Sequence, residues 1–466
     1  MADSAASLLF TRRYGAEVAA NYFSGSPLNR VAFLRGDHEF LQAAFCHASA
    51  AIVPLDEDLH PLVLSKDGNK LDYVTMRDVK PLLMSPMLRP FAKSEKVAID
   101  SFSSSELYEP LILFLGLDEG FEGPVPTPAQ TAPGTPTAST PGSGTGPILG
   151  ERKESSQAKN EKTTGPGGVF KWKEYQGRPY FALHVAAKEK GGVDQAIVKQ
   201  VKREMAERGG MWLEDVRKAT LEVRDAAIYG LARHLVDWNL RNTFCATCGS
   251  RAIPVHGGWK RACPPKDNFK PRDNKSTPKD NVKKAIERPP CSSRNRVSNV
   301  SFPRTDPTVI AAVINSSGTK ILLGRQKQWV KNMYSTLAGF VEPGESLEEA
   351  VKREVWEESG VTVGRVQLHS SQPWPFPGGL MVGAVGVATE EGEIIHLGHD
   401  PELEDARWFG REEVEKALKE NAVGLSGGVK EGMQGRLRLP PTTAIANRLI
   451  SSAVGFVEEM DKGGKI

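Results

Sequence analysis

From Thr308 onward the chain alternates short apolar runs with turn residues and helical stretches. TVIAAVIN and TKILLGRQ lie on either side of Ser316-Ser317-Gly318 and predict a β-hairpin. MYSTLAGFV (333–341) leads toward a helix, and further strands are expected at RVQLHSS (365–371), LMVGAVGVA (380–388), GEIIH (392–396) and ARWFG (406–410). Helices are expected at REEVEKALKE (411–420) and from about Thr442 to Glu459. Between Ser346 and Gly360, Leu347, Val351 and Val355 recur every four residues and give one buried stripe. Ser346 with Glu349 three residues on is a capping box, and Gly360 stands where a left-handed C-terminal cap belongs. Earlier, PLILFLGL (110–117) reads as a buried strand and RPYFALHVAA (178–187) as globular. Asp194–Arg208 reads as a polar helix. RDAAIYGLARHLVDWNLR (224–241) places Ala227, Leu231, Leu235 and Trp238 on one helical face.

The segment from about 122 to 168, rich in Pro, Thr, Gly and Ser, cannot bury a core and reads as a disordered insertion within an N-terminal α+β domain, 1–240. A length of 466 residues leaves room for two more domains, 241–303 and 304–466. Lys plus Arg is 60 against Asp plus Glu 57, so global charge argues neither for nor against nucleic acid. No apolar run is long enough for a bilayer, the N-terminus lacks a secretory core, and five cysteines do not suggest an oxidised framework. An intracellular, soluble protein is expected, cytoplasmic first, with a peroxisomal one as the alternative although the chain ends Gly464-Lys465-Ile466 and not S-K-L.

Cys245 and Cys248 form a CxxC, Cys263 follows after a glycine turn, and 27 residues separate Cys263 from Cys291. That spacing suits a zinc ribbon (241–303) whose second knuckle carries a basic, Pro-rich insertion, about 264–290. Loop closure grows only logarithmically with length, so the insertion is tolerable. Four cysteines leave no open position, so one structural Zn²⁺ per chain is expected.

The helix at 347–359 also carries chemistry. Glu354, Glu357 and Glu358 stand at i, i+3 and i+4, so their carboxylates gather on one face. Like charges at that spacing repel, whereas Mg²⁺ or Mn²⁺ needs such a set of hard oxygen ligands. Glu345 adds a carboxylate from the preceding loop, and Arg353 is placed to orient one of the glutamates. Gly339, five residues, Glu345, seven residues, Arg353-Glu354-Val355, one residue, Glu357-Glu358, one residue, Gly360-Val361 resembles the box of the Nudix hydrolases. The resemblance implies an α+β multidomain protein ending in an α/β/α sandwich with a mixed sheet, and two or three Mg²⁺ or Mn²⁺ ions per site.

A second motif, SQPWPFP (371–377), resembles the marker of the NADH pyrophosphatase subfamily, as does the order of divergent N-terminal domain, CxxC ribbon, box and marker. Its three prolines present Gln372, Trp374 and Phe376 with little entropy to lose, for stacking on and reading a base or nicotinamide ring; core packing of the aromatics is the plainer alternative. The resemblance further implies Phe340 stacking on a base and Ala446 near the same pocket. It also implies Met381 and Phe302 as substrate residues, and Glu402 (not its neighbour Glu404) as a carboxylate from a distant loop. Gly378-Gly379 departs from the subfamily, which has a serine at the second place. The implied reaction is metal-dependent hydrolysis of NAD(H) to NMN(H) and AMP by a homodimer, extending to NAD-capped RNA, with Glu357 or Glu402 as general base. The basic loop at 264–296 offers charge to an RNA backbone, although a solvated insertion is its plainer account. ADP-ribose or diadenosine polyphosphate is the alternative substrate class. A ribbon-type binding protein with an inert box would show lost carboxylates, and none is lost.

Overall fold

The protein is seen in a computed structural model that describes residues 21–64, 68–83, 94–104, 111–121, 168–186, 194–216, 220–269, 285–295, 299–399, 401–421 and 436–455. The chain falls into two compact units. One, the ribbon unit, takes in Pro27–Trp212 and Asn239–Pro303; the other, the box unit, takes in Met1–Ser26, Leu213–Trp238 and Arg304–Ile466. This grouping cuts across the linear segments 1–240, 241–303 and 304–466.

In the ribbon unit, Tyr175–His184 is the central strand of a sheet, parallel to Ala51–Leu55 and antiparallel to Ile112–Asp118. The flanking strands are buried apolar runs and the central strand is buried from Pro179 to Leu183, as expected of 110–117 and 178–187. Phe40, Phe45, Phe114 and Phe181 close the core with edge-on ring contacts. The polar helix forms as Gln195–Glu207, with the Asp194 carboxylate accepting from the Ala196 N–H at 2.7 Å. Of the expected insertions, 122–167 and 270–284 lie outside the described residues. The stem of the second is visible: Lys266–Asp267 pairs antiparallel with Ile286–Glu287, and Arg288 bonds Asp267 at 3.0 Å. This short ladder returns the chain to its starting point, so the inserted residues leave Cys263 and Cys291 together.

Elements of the box unit are numbered along it: α1 (Val223–Arg241, whose last three residues count with the ribbon unit), β1 (Asp306–Ile314), β2 (Lys320–Gln326), β3 (Leu337–Phe340), α2 (Leu347–Ser359), β4 (Val363–Trp374), β5 (Gly379–Ala388), β6 (Leu403–Gly410), α3 (Arg411–Asn421) and α4 (Ile445–Ala453). The mixed sheet runs β4-β5-β1-β2-β6, with β3 on β1; β1 and β5 are parallel and the other pairs antiparallel. One face packs Val309, Ala311 and Leu337 against Ala350, Val351 and Val355 of α2. The other packs Ile310, Ile321 and Phe409 against α3 and α4. The result is an α/β/α sandwich. On the α4 side Gly383 permits the approach, since a Cβ there would lie 2.9 Å from Ile445 and 3.0 Å from Leu449.

The α2 boundaries follow the local sequence. Glu349 N–H donates to Ser346 Oγ at 3.2 Å, the Ser346 N–H donates back to Glu349 at 2.7 Å, and Gly360 at φ 74° caps the other end. Such a cap contributes about 1 kcal/mol. Two expectations are corrected. GEIIH is not a strand: Ile394 and Ile395 are adjacent rather than alternating, Ile394 is exposed, and the backbone there anchors a loop. The last helix begins at Ile445, not Thr442, because Ala444 has no capping side chain and the cap comes from β4, as described below. The expected end of this helix, beyond 455, lies outside the described residues. On α1, Ala227, Leu235 and Trp238 are buried as expected, but so are Ile228, Tyr229, Ala232 and Val236, so the buried surface is wider than one stripe. Among the described residues no helix is long and apolar enough to cross a membrane.

Candidate active site

The end of β3 is where the site is assembled. A Cβ on Gly339 would lie 2.0 Å from the Glu354 carboxylate, so glycine is what lets that side chain lie across the strand. Arg353 gathers the acidic groups. Its Nε and Nη2 donate to Glu345 at 2.6 and 3.0 Å, its Nη1 donates to both Glu354 and Glu357 at 2.8 Å, and its Nη2 reaches the Phe340 carbonyl at 2.8 Å. One guanidinium therefore bridges the pre-helix loop, the helix and the strand end. Hydrogen bonds from Arg353, first, and from the Glu342 N–H hold Glu345 below the usual carboxylate range. Glu354 is pushed up, chiefly by burial; Arg353 opposes this, while the charges of Glu357 and Glu402 add to it. Glu402, exposed on a distant loop, is thus close enough to act on Glu354. Its neighbour Glu404 is taken by an ion pair with Arg325. Glu358 is buried. The carboxylates fan out around Arg353; among the described residues only the four cysteines form a set of three or more closely spaced His, Cys, Asp or Glu ligand atoms.

The loop carrying Glu402 is fastened to α2. His396 N–H donates to the Ser359 carbonyl at 2.8 Å, satisfying one of the free carbonyls at the helix end. Gly360 makes this approach possible as well as capping the helix, because a Cβ there would lie 2.8 Å from His396 Cβ. The His399 ring then stacks on Trp356, centroids 4.1 Å apart and 22° from parallel, and His396 packs beside it at 4.7 Å. Glu393 holds the start of the loop, accepting from the Ser316 N–H at 2.7 Å, while its carbonyl accepts from Trp408 Nε1 at 2.9 Å. None of these histidines was expected from sequence; the imidazoles lie outside any motif spacing.

The expected substrate residues separate into two groups. Phe340, Thr308, Met381 and Gln372 are successive partners across β3, β1, β5 and β4, one row on the α4 face of the sheet. Phe340 is 65% exposed at its end and free to stack. Met381 packs on the α4 core and Ala446 is buried within it. Gln372, expected to read a ring edge, is 1% exposed and fully engaged. Its Nε2 donates to the Tyr22 and Thr443 carbonyls at 3.1 and 2.8 Å, and its Oε1 accepts from the Ile445 N–H at 2.9 Å. It is the missing cap of α4, so this side chain orders the fold instead of presenting an edge. Trp374 and Phe376 pack on each other at 5.3 Å and edge-on against Phe23 at 6.4 and 6.0 Å. Arg233 of α1 lies 4.8 Å over Phe376 and donates to the Pro375 carbonyl at 3.0 Å. Asn21 donates to the Ser371 carbonyl at 2.8 Å. The marker is therefore clasped by residues 21–23 and α1, a role invisible in a linear reading. A Cβ on Gly378 would lie 3.0 Å from the His234 ring, whereas Gly379, at the place of the subfamily's serine, has ordinary clearance and no packing reason to be glycine. Phe302 belongs to the ribbon unit and is partly exposed.

In the ribbon unit, Cys245, Cys248, Cys263 and Cys291 bring their sulfurs within 4.8 Å of one another; Cys245 and Cys291 are 3.6 Å apart and Cys248 and Cys263 3.5 Å. Sulfurs at about 2.3 Å from a tetrahedral Zn²⁺ are roughly 3.8 Å apart, so the donor set fits. Burial raises the Cys245 thiol, but Ser293 and the Cys248 and Thr247 N–H groups outweigh it and bring it to about 6. Cys263, where burial dominates over Arg294, is pushed up to about 12.

Comparison with known proteins agrees with this geometry. Residues 304–426 match the NUDIX domain and residues 240–268 the NADH pyrophosphatase zinc ribbon domain. The chain is 31% identical over 437 residues to the NAD-capped RNA hydrolase of Schizosaccharomyces pombe, covering 93% of this chain and 92% of that protein. It is 30% identical over 444 residues to the NAD-capped RNA hydrolase NPY1 of Saccharomyces cerevisiae, covering 93% and 95%. It is also 31% identical over 283 residues to the human mitochondrial NAD(P)H pyrophosphatase NUDT13, covering 60% and 69%. With the box intact around Arg353 and the four thiols together, the chain belongs to the Nudix hydrolases, in the group that joins a NUDIX domain to an NADH pyrophosphatase zinc ribbon.

Proposed function

We propose that this protein hydrolyses the pyrophosphate of NAD(H) to NMN(H) and AMP, and removes the same dinucleotide from the 5′ ends of NAD-capped RNA. The observation that carries this reading is the carboxylate fan held by Arg353 over Gly339, with Glu402 acting on Glu354 from outside the helix. Glu354 is a half-buried carboxylate facing two further acids, a charge excess that a divalent cation offsets. Glu354, Glu357 and Glu358, with Glu402 and Glu345, would hold Mg²⁺ or Mn²⁺. When bound, such ions neutralise phosphate charge and acidify a water.

The chain's own residues do the rest. Arg353 keeps the helix carboxylates and the β3 end in one frame, which fixes the direction of attack. Phe340, exposed at that strand end, offers a face to a base or nicotinamide ring. Glu357 or Glu402 accepts a proton from the attacking water. Water adds to one phosphorus, the bridging P–O bond breaks, and the leaving phosphate keeps that bridging oxygen. Cys245, Cys248, Cys263 and Cys291 hold one structural zinc, and the active species is a homodimer. The test is product analysis on NADH with Mn²⁺. NMNH plus AMP is expected; release of nicotinamide, or faster turnover of ADP-ribose or diadenosine polyphosphate, would overturn the assignment.

A further inference from the structure

In the ribbon unit two arginines share one indole. Arg35 lies 3.5 Å and Arg30 5.6 Å from the centre of the Trp259 ring. All three side chains are half-buried. Among the described residues neither guanidinium has a carboxylate partner, and Arg35 Nε is buried without a hydrogen bond. Desolvation lowers both arginines, and the charge of Arg30 lowers Arg35 further, to about 10. A fold seldom leaves two desolvated cations side by side with no anion between or beside them.

The arrangement is held rigidly. Trp259 Nε1 donates to the Phe114 carbonyl at 2.7 Å, which fixes the ring. The turn before it requires glycine: Gly258 is at φ 89°, and a Cβ would fall 2.0 Å from Leu113. Arg30 follows Asn29, whose N–H and C=O both pair with Leu117, at 2.8 and 2.9 Å. Arg35 closes the one-turn helix Ala32–Leu34, on which Phe33 is 66% exposed and meets Tyr175 at 5.2 Å. Of the acids described around them, Asp37 accepts from the Phe40 N–H, Glu95 is paired with His256 and Lys260, Glu119 accepts from Asn29 and Glu174 lies at Tyr175; none of these contacts is to either guanidinium.

We propose that Arg30 and Arg35, presented on Trp259, bind a backbone phosphodiester of single-stranded RNA, with Phe33 offering a stacking face to a neighbouring base. The inference rests on the RNA half of the proposed function: a capped transcript brings many phosphates besides the pyrophosphate that is cut, and these need a site away from the box carboxylates.

The experiment separates binding from catalysis. In an E357Q background, a fluorescent 20-nucleotide RNA with a 5′-hydroxyl is titrated at several salt concentrations against R30Q/R35Q, the single R30Q, and the parent. Loss of about tenfold in affinity, with the salt slope smaller by about one to two, is expected for the double variant. In the otherwise wild-type protein, the same pair should lower kcat/KM for NAD-capped RNA about tenfold while NADH hydrolysis stays within about twofold. Unchanged RNA affinity and slope, no RNA binding by the parent, or an equal loss on NADH overturns the proposal. Binding of inorganic phosphate that R30Q/R35Q abolishes, with no binding of the RNA, would assign the pair to a free anion and also overturn it. Should the double variant fail to fold, R30Q carries the same readings at about threefold. Failure of the functional reading shows separately, as wild-type protein that binds this RNA but leaves NADH or the cap intact.

Discussion

The box and the SQPWPFP marker both stand out in the sequence, and the structure uses their polar groups in opposite ways. Around Arg353 the carboxylates of Glu345, Glu354 and Glu357 are held mainly by one guanidinium, in charge-assisted pairs that a cation can replace. In the marker, Gln372 is spent on three backbone groups and buried. The first arrangement is a store of charge waiting for a ligand, the second a fastening. A motif thus reports that a residue type is required at a place; whether the requirement is chemical or architectural depends on what its polar atoms touch.

The contrast predicts opposite failures. E357Q removes one charge from the fan and leaves the amide able to accept from Arg353, so the fold should hold. Turnover of NADH should fall about 10²–10⁴-fold with an unchanged melting curve. Wild-type-like turnover would show that the charge store does no chemistry. Q372L should do the reverse. The Tyr22 and Thr443 carbonyls and the Ile445 N–H lose their partner, costing about 2 kcal/mol, read as a lower urea midpoint. Metal dependence of the residual activity should be unaltered. A variant as stable as wild type but with a raised KM would return Gln372 to the substrate.

Much of the box could be read in advance because its information is local. Ser346, Glu349 and Gly360 state where α2 starts and stops, and i, i+3, i+4 spacing states which carboxylates share a face. The ribbon was legible for the same reason, since a CxxC carries its own geometry. What the chain did not reveal is non-local. Nothing around Asn21 or Arg233 announces that they clasp a motif 140 to 350 residues away in sequence. Ala444 gives no hint that its helix is capped from β4. The adjacent Ile394 and Ile395 looked like strand, and only the fastening of that loop at His396 and Glu393 shows why they are not.

That loop gives an intermediate case, neither charge store nor deep fastening. Trp356 and His399 are exposed, so W356A should cost little stability. It removes the surface on which the Glu402 loop rests. The expected result is a several-fold rise in the Mn²⁺ concentration for half-maximal rate, with the KM for NADH nearly constant, and recovery in W356F. An unaltered Mn²⁺ requirement would show that Glu402 reaches the site without the stack.

The smallest effect separates carboxylates within the fan. Glu345 lies below the usual range and Glu354 above it, so their protons move in opposite directions on folding. For Glu345 the folded form binds its proton more weakly than the unfolded chain, so it adds stability above the ordinary carboxylate range that is lost as pH falls through the folded value. For Glu354 the metal-free fold holds its proton to higher pH, so stability declines as pH rises through that window. A cation must displace this proton. Mn²⁺ affinity should therefore climb with pH just above the ordinary carboxylate range and then level off, with protons released on binding. Calorimetry in buffers of different ionisation heat measures that release directly. E354Q should abolish it while E345Q should not, because of the two Glu354 is the half-buried one and has two acidic neighbours; equal release in both variants would mean that the fan titrates as one body and that burial does not single out Glu354.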